Sequence, residues 1–202
     1  MQDLLNSAHR GVFMVLVGPD GSGKTSVAGA IADQLGDRAG YFHFRPDRGK
    51  GLASRPNMGA PPQPKAIRAG PMIFGWMRLV LNLFRFWIGY LSVVRPAVRR
   101  GVNVIGDVWA YRYLTQPLAM RYAGPDWLAH QMLRLFPQPD LVINLNAPPE
   151  VIEARKGELA LNEISKELAL WPTIPCRCLV TLDAVDSPPR IAAEVIAKAG
   201  LR

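Results

Sequence analysis

Residues Gly18 to Thr25 read GPDGSGKT and match the pattern G-x-x-x-x-G-K-[ST] in full. Before them stands VFMVLV (Val12 to Val17), a short apolar run. Such a run reads as a strand buried on both faces, hence a central parallel strand. After them comes TSVAGAIADQLG, in which Val27, Ala28, Ile31, Ala32 and Leu35 recur at helical spacing and Gly36 is placed to end the helix. Strand, glycine turn and helix in this order are the setting the motif requires. Gly18, Gly21 and Gly23 let backbone N–H groups turn inward around phosphate oxygens. The helix then presents its N-terminus and positive dipole end to the same anion. Lys24 is placed to reach the β- and γ-phosphates of ATP, and Thr25 to hold Mg²⁺ through its hydroxyl. The candidate nucleotide-binding set is therefore Gly18, Gly21, Ser22, Gly23, Lys24 and Thr25.

Outward from this loop, short apolar runs alternate with helical patterns. YFHFR (Tyr41 to Arg45), NVIGD (Asn103 to Asp107), DLVINLN (Asp140 to Asn146) and Cys178 to Leu182 read as four further strands. Helical stretches include Leu128 to Leu135, a helix opened by Pro148-Pro149-Glu150, and Pro188 to Ala199. Five strands alternating with helices imply an α/β domain with a parallel sheet and helices on both faces. The 202 residues suit one domain, 1–202, with no internal repeat. Pro46 to Pro71 carries six Pro and four Gly without periodicity and reads as a long flexible loop.

Composition excludes several classes. Hydrophobic residues are 49% and charged residues 20%, which rules out a disordered chain, a collagen and a coiled coil. Two cysteines, Cys176 and Cys178, are too few for a disulfide scaffold or a four-cysteine zinc site. His9, His43 and His130 have no metal-ligand spacing. MQDLLNSAHR lacks a basic cap followed by an apolar run, so the default location is the cytoplasm. The net charge is +8, and between Arg48 and Gly106 there are ten Lys or Arg and no acid. That field favours an anionic ligand. A nucleic-acid surface is disfavoured, because no nucleic-acid module is present.

Met72 to Val94 is apolar enough to raise a membrane span. Arg78, Asn82, Arg85, Gly89 and Ser92 fall four, three, four and three apart and form one polar-to-small stripe. Two Arg near the middle of a span are costly in lipid. The favoured expectation is a largely buried helix whose one wet stripe faces a cleft. Membrane contact is the disfavoured alternative.

Two carboxylates stand out. Asp107 ends an apolar strand and is the natural Mg²⁺-directed group, or else a strand-end Asp that bonds backbone N–H groups. Asp20 lies inside the phosphate loop, where it closes an Asx turn, accepts a hydrogen bond from an incoming hydroxyl, or pairs with a cation. Trp109, Tyr111 and Tyr113 alternate after Asp107 and are either core or the wall of an acceptor pocket.

Taken in order, these stretches resemble the thymidylate kinase-like P-loop phosphotransferases. GPDGSGKT resembles that family's phosphate loop, including Asp20. Phe44-Arg45-Pro46-Asp47 sits where the family has an Arg, an acid and a Pro after the second strand. Val104-Ile105-Gly106-Asp107 resembles the stretch leading into the family's Asp-Arg-Tyr motif. Pro139-Asp140 resembles the start of its fourth strand, and Leu182-Asp183-Ala184 its last strand end, near the adenine. Pro148 to Arg155 leads into a region similar to the lid, here 155–177. The chain departs from the pattern at Val108, where the family has Arg. That leaves the missing cation's role to Arg45, Arg78, Arg85, Arg112 or Arg121, or leaves it empty.

The resemblance implies strand order 2-3-1-4-5 and transfer of the ATP γ-phosphoryl to a small, phosphorylated acceptor. Lys24, Asp20 and Arg155 are the expected catalytic residues, with Arg155 closing from the lid. Thr25 and Asp107 are the expected metal ligands, and Arg45, Arg78 and Arg85 the acceptor-binding set. The alternative reading is an ATP-binding switch or partner protein that does not catalyse transfer. A homodimer is left open.

Overall fold

A computed structural model describes residues 10–57, 72–156 and 161–201. Five parallel strands form one sheet in the order β2-β3-β1-β4-β5. They are β1 (Phe13–Val17), β2 (Ala39–His43), β3 (Asn103–Asp107), β4 (Leu141–Asn146) and β5 (Leu179–Asp183). The fold is the expected P-loop α/β sheet, with the expected strand order. Every residue of β1 is buried, as the unbroken apolar run dictates for a central strand. Its side chains alternate between two cores. Phe13, Val15 and Val17 face one, with Phe42, Phe86 and Trp109. Met14 and Leu16 face the other, with Ile31, Ile143 and Ile191. Helices therefore cover both faces of the sheet.

Helix α1 (Lys24–Leu35) begins inside the phosphate loop and is closed by Gly36 at φ 57°. It packs with the closing helix α8 (Pro188–Lys198) against the second core. Short helices α4 (Arg112–Thr115) and α5 (Asp126–Leu133) follow β3. After β4 come α6 (Pro149–Lys156), which leads into the expected lid span 155–177, and α7 (Leu161–Leu170), which lies within it. Residues 46–57 of the long loop carry no helix or sheet strand; Ala53 folds back to bridge Tyr41. Residues 58–71 lie outside the described residues.

The apolar segment differs from its expectation. Helix α2 (Met72–Gly89) continues through a π-helical turn, Tyr90–Val94, into α3 (Arg95–Arg99). Pro96 lies in the first turn of α3. Proline removes an amide donor and crowds the carbonyl four residues earlier, which a widened turn accommodates. The helix is not largely buried. It lies on the sheet's flank and buries only a narrow stripe, including Leu79, Asn82, Phe86, Gly89 and Val94. Most of its large apolar side chains face outward, among them Met77 at 63% and Phe84 at 61% exposure. The reason lies at two positions on the expected polar stripe. A Cβ on Gly89 would come within 2.2 Å of the Pro46 carbonyl, so glycine there permits close approach. Asn82 is buried because Arg45 and Tyr113 satisfy its amide. Part of the stripe thus faces the protein, while Arg78, Arg85 and Ser92 remain exposed beside it.

Candidate active site

The site gathers at the carboxyl ends of β1 and β3. Gly18, Gly21 and Gly23 adopt φ of 133°, 98° and 90°, backbone that L side chains rarely reach. A Cβ at Gly18 would lie 2.7 Å from the Leu145 carbonyl. The loop is therefore built from glycine for the reason the motif implies. Ser22 Oγ is buried there without a hydrogen-bond partner.

Lys24 is buried, and its Nζ donates to the carbonyls of Gly18 and Pro19, each at 2.8 Å. It also lies 3.3 Å from Asp20 Oδ1. The ammonium thus stitches the loop across its mouth. A phosphate oxygen entering the loop competes with these acceptors for the same three protons.

Across the loop, Thr25 Oγ1 donates to Asp107 Oδ2 at 2.8 Å. The two residues are 82 apart in the chain and are joined because β3 pairs with β1 in register, Leu16 opposite Asp107. Asp107 is 1% exposed. Its Oδ2 also accepts from Tyr41 Oη at 3.1 Å, and His43 Nδ1 lies 3.6 Å away. Burial pushes the Asp107 carboxyl upward. The His43 imidazole, the Lys24 charge and the Thr25 hydroxyl outweigh that push, and the net direction is down. Tyr41 is driven the other way by burial and by Asp107 itself, so it stays a neutral donor. Asp107 Oδ1 has no hydrogen-bond partner. A charged oxygen orphaned in a buried pocket, beside a threonine hydroxyl and a phosphate loop, fits a divalent cation such as Mg²⁺. The strand-end reading, in which Asp107 bonds backbone N–H groups, finds no such bond among the described residues. Sequence reasoning missed Tyr41 and His43; the register of β2 on β3, His43 opposite Asp107, is what delivers them.

Asp20 resolves into a cation pair. Besides Lys24, its Oδ2 accepts from Arg112 Nη2 at 3.1 Å. Arg112 Nε in turn donates to Gln116, and Gln116 donates to Glu167 on α7. Of the five arginines named for the cation missing at Val108, Arg112 is the one held against the phosphate loop. Val108 itself sits at φ 68°, a strained conformation for a β-branched residue. Burial raises the Glu167 carboxyl, and Asp20 adds to that, against the Gln116 hydrogen bond and the Lys24 and Arg112 charges. A narrow cleft runs between Asp20, Lys24, Val108, Arg112 and Glu167. Trp109, Tyr111 and Trp171 line it, and their Nε1, Oη and Nε1 atoms are buried without hydrogen-bond partners among the described residues. Trp109 and Tyr111 are thus both core and cleft wall. Neither Gln116 nor Glu167 carried any sequence signal.

The arginines expected to bind the acceptor form a second cation group. Arg45 Nη1 donates to Asn82 Oδ1 at 3.1 Å, and Asn82 donates to Tyr113 Oη at 2.7 Å. Partial burial first, then the neighbouring Arg85 charge, lower the Arg45 guanidinium, with Arg78 adding a smaller push. Arg45 thus lies in the field of Arg85 and Arg78, and in that of the Asp47 carboxylate, which pushes the other way. Among the described residues no carboxylate pairs with Arg78 or Arg85, so Asp126 and Glu150 are not their partners. Arg155 is not brought into either group: its Nη1 donates to the Ala184 carbonyl at 2.8 Å, beyond the end of β5.

No protein-family model and no curated protein sequence matches the chain. Solved structures do. Thymidylate kinase from Candida albicans superposes with a TM-score of 0.58 at 17% identity, covering 96% of this chain and 94% of that one. Thymidylate kinase from Ehrlichia chaffeensis gives 0.50 at 16% identity, covering 95% and 100%. The chain has a thymidylate kinase-like fold.

Proposed function

We propose that this chain, built on a thymidylate kinase-like fold, binds ATP with Mg²⁺ and transfers the γ-phosphoryl to a small anionic acceptor. The observation that carries the reading is the Thr25–Asp107 pair at 2.8 Å with Asp107 Oδ1 buried and unpartnered beside the left-handed glycine loop. In the reaction the bond between the γ-phosphorus and its bridging oxygen breaks, and an acceptor oxygen takes the phosphoryl group. The loop amides and Lys24 hold the phosphates. Thr25 and Asp107 are the residues that would hold the metal, which spreads the charge of the β- and γ-oxygens. Arg112, braced by Asp20, stands where it meets the charge that develops on the transferred group, in place of an Arg at Val108. Arg45, Arg78 and Arg85 address the acceptor's anion, each guanidinium offering a planar fork to phosphate. Arg155 steadies the β5 end rather than the phosphoryl group. One cytoplasmic domain, 1–202, with its lid in 155–177, completes the reading.

Val108 favours a second reading, an ATP-binding protein that performs no transfer. An acceptor screen over nucleoside monophosphates and other small phosphomonoesters, with ATP and Mg²⁺, decides between them by release of ADP. Turnover with any acceptor supports the enzyme. Micromolar ATP binding without acceptor-dependent ADP supports the switch. Lys24→Ala is expected to weaken ATP binding at least a hundredfold by calorimetry while the thermal transition stays cooperative. Equal affinity in the variant overturns both readings.

A further inference from the structure

The outward face of α2 is used by neither nucleotide nor acceptor. Met77, Val80, Phe84, Ile88 and Leu91 follow one another at three or four residues and are 63, 42, 61, 58 and 47% exposed. They make an apolar ridge of nearly four turns. Trp76 and Trp87 border it, 38 and 39% exposed, and Trp87 Nε1 donates to the Leu135 carbonyl, whose own exposed side chain widens the patch. An apolar strip of this length is more than the scattered exposed residues of an ordinary surface.

Cations frame the ridge. Arg78 and Arg85 run along one edge of it. At its carboxyl end, Arg10, Arg95 and Arg99 surround a cleft of about 320 Å³ with Tyr90. Trp87 and Tyr90 meet edge to face at 5.8 Å, so the ridge and the cleft are continuous. Arg10 pairs with Asp140, but among the described residues no carboxylate pairs with Arg95 or Arg99. Between Arg48 and Gly106 the chain has no acid at all.

We propose that this helix seats the protein on the surface of a bilayer containing anionic phospholipids. The ridge enters the boundary between headgroups and acyl chains, and Arg95 and Arg99 take headgroup phosphates at the cleft. Apolar face, bordering tryptophans and flanking arginines are the chemistry of an interfacial helix. The helix does not cross the bilayer. Its opposite face is held in the domain by Leu79, Phe86 and the Arg45–Asn82–Tyr113 hydrogen bonds, all of which a spanning arrangement would break. A second copy is the poorer occupant. A second copy would bring the same arginines and, between Arg48 and Gly106, no acid to answer them. The proposal stands apart from phosphotransfer and needs none of the loop residues.

The test is sedimentation of the full chain with vesicles of phosphatidylcholine alone or with about a third phosphatidylglycerol, alongside analytical ultracentrifugation without lipid. Wild type is expected to partition onto the anionic vesicles, at least tenfold less onto the neutral ones, and to be released by 0.5 M salt. The Phe84→Asp, Ile88→Asp double variant and the Arg95→Ala, Arg99→Ala double variant should each lower partitioning at least tenfold. ATP affinity, unchanged in both, shows that they fold. Equal binding to both vesicle types, or no loss in either variant, overturns the proposal. So does a lipid-independent dimer that Phe84→Asp, Ile88→Asp dissociates, because the ridge then belongs to a second copy. Wild type that ignores vesicles and stays monomeric overturns it equally.

Discussion

A single buried acid, Glu167, ties α7 to the phosphate loop. It is 5% exposed on α7 and takes a hydrogen bond from Gln116, which reaches Asp20 through Arg112. Its carboxyl is raised above the ordinary range, chiefly by burial. The sign follows from linkage. Below both pKa values the acid is protonated in folded and unfolded chains alike and contributes nothing. As pH rises through the unfolded value of about 4.3, the unfolded chain ionises first, and stability falls until pH passes the folded value. Glu167→Gln keeps an acceptor for Gln116 and removes the ionisation. The variant is expected to match wild type at low pH and to exceed it increasingly as pH rises through and above the carboxylate range. Urea titrations across that range check it; a constant difference between the two proteins would show that Glu167 is not under burial stress. Asp107, by contrast, is lowered, so its contribution is present above the ordinary carboxylate pKa and is lost on acidification.

At the scale of elements, α2 decides how the helix layer meets the sheet. Phe86 is fully buried and its ring lies 4.7 Å from Trp109, 5.2 Å from Phe136 and 5.5 Å from Phe44, all edge to face. These partners come from the β2 end, the β3 end and the turn after α5. Phe86→Ala removes the ring that joins them and leaves a cavity, at a cost of about 3–5 kcal/mol. Chemical denaturation checks this value. A loss below about 1 kcal/mol would mean that α2 is not docked as described. The comparison with the sequence is instructive here. All five strands were legible to within two residues, because continuous apolar runs have one physical use in a parallel sheet. The phosphate loop was legible because glycine, lysine and threonine at that spacing serve one chemistry. The facing of α2 was not. Its apolar residues run all round the helix, so periodicity pointed to the polar stripe as the wet face. Which face docks was decided instead by Gly89 against Pro46 and by Asn82 finding Arg45 and Tyr113, partners distant in sequence. Glu167 and Tyr41 were unreadable for the same reason: each acquires its role only through a neighbour that the fold supplies.

Charge is distributed over the whole molecule with a purpose that pairwise contacts do not show. Every one of the 16 acids lies outside the stretch from Arg48 to Gly106, and the net charge is +8. Asp20 is paired with Lys24 and Arg112, and Asp107 lies in the field of Lys24, so these acids do little to offset the wider field. Arg45, Arg78 and Arg85 stand in that field with Asp47 beside Arg45, and the Arg45 guanidinium is lowered first by burial and then by Arg85. Arg85 and Arg78 push against the Arg45 charge while the Asp47 carboxylate supports it, and an anion among the three guanidiniums would lower their mutual repulsion. The proposed phosphate-monoester acceptor would meet this need and be drawn in by the wider field as well. Arg85→Ala and Arg45→Ala are each expected to raise the acceptor's KM about tenfold, with a smaller change in kcat and none in ATP affinity. The salt dependence should change with them. Raising ionic strength from 0.05 to 0.5 M shortens the Debye length from roughly 14 Å to about 4 Å. Wild-type kcat/KM for the acceptor should therefore fall severalfold over that range, and the variants should fall less. Arg45→Ala carries one further consequence, since it frees Asn82 Oδ1 in a buried position; a parallel Arg45→Lys variant restores a donor without the planar fork. If Lys recovers stability but not KM, the guanidinium is binding the acceptor. If neither Arg85→Ala nor Arg45→Ala moves KM, kcat or the salt slope, the cation group is structural and the acceptor enters elsewhere.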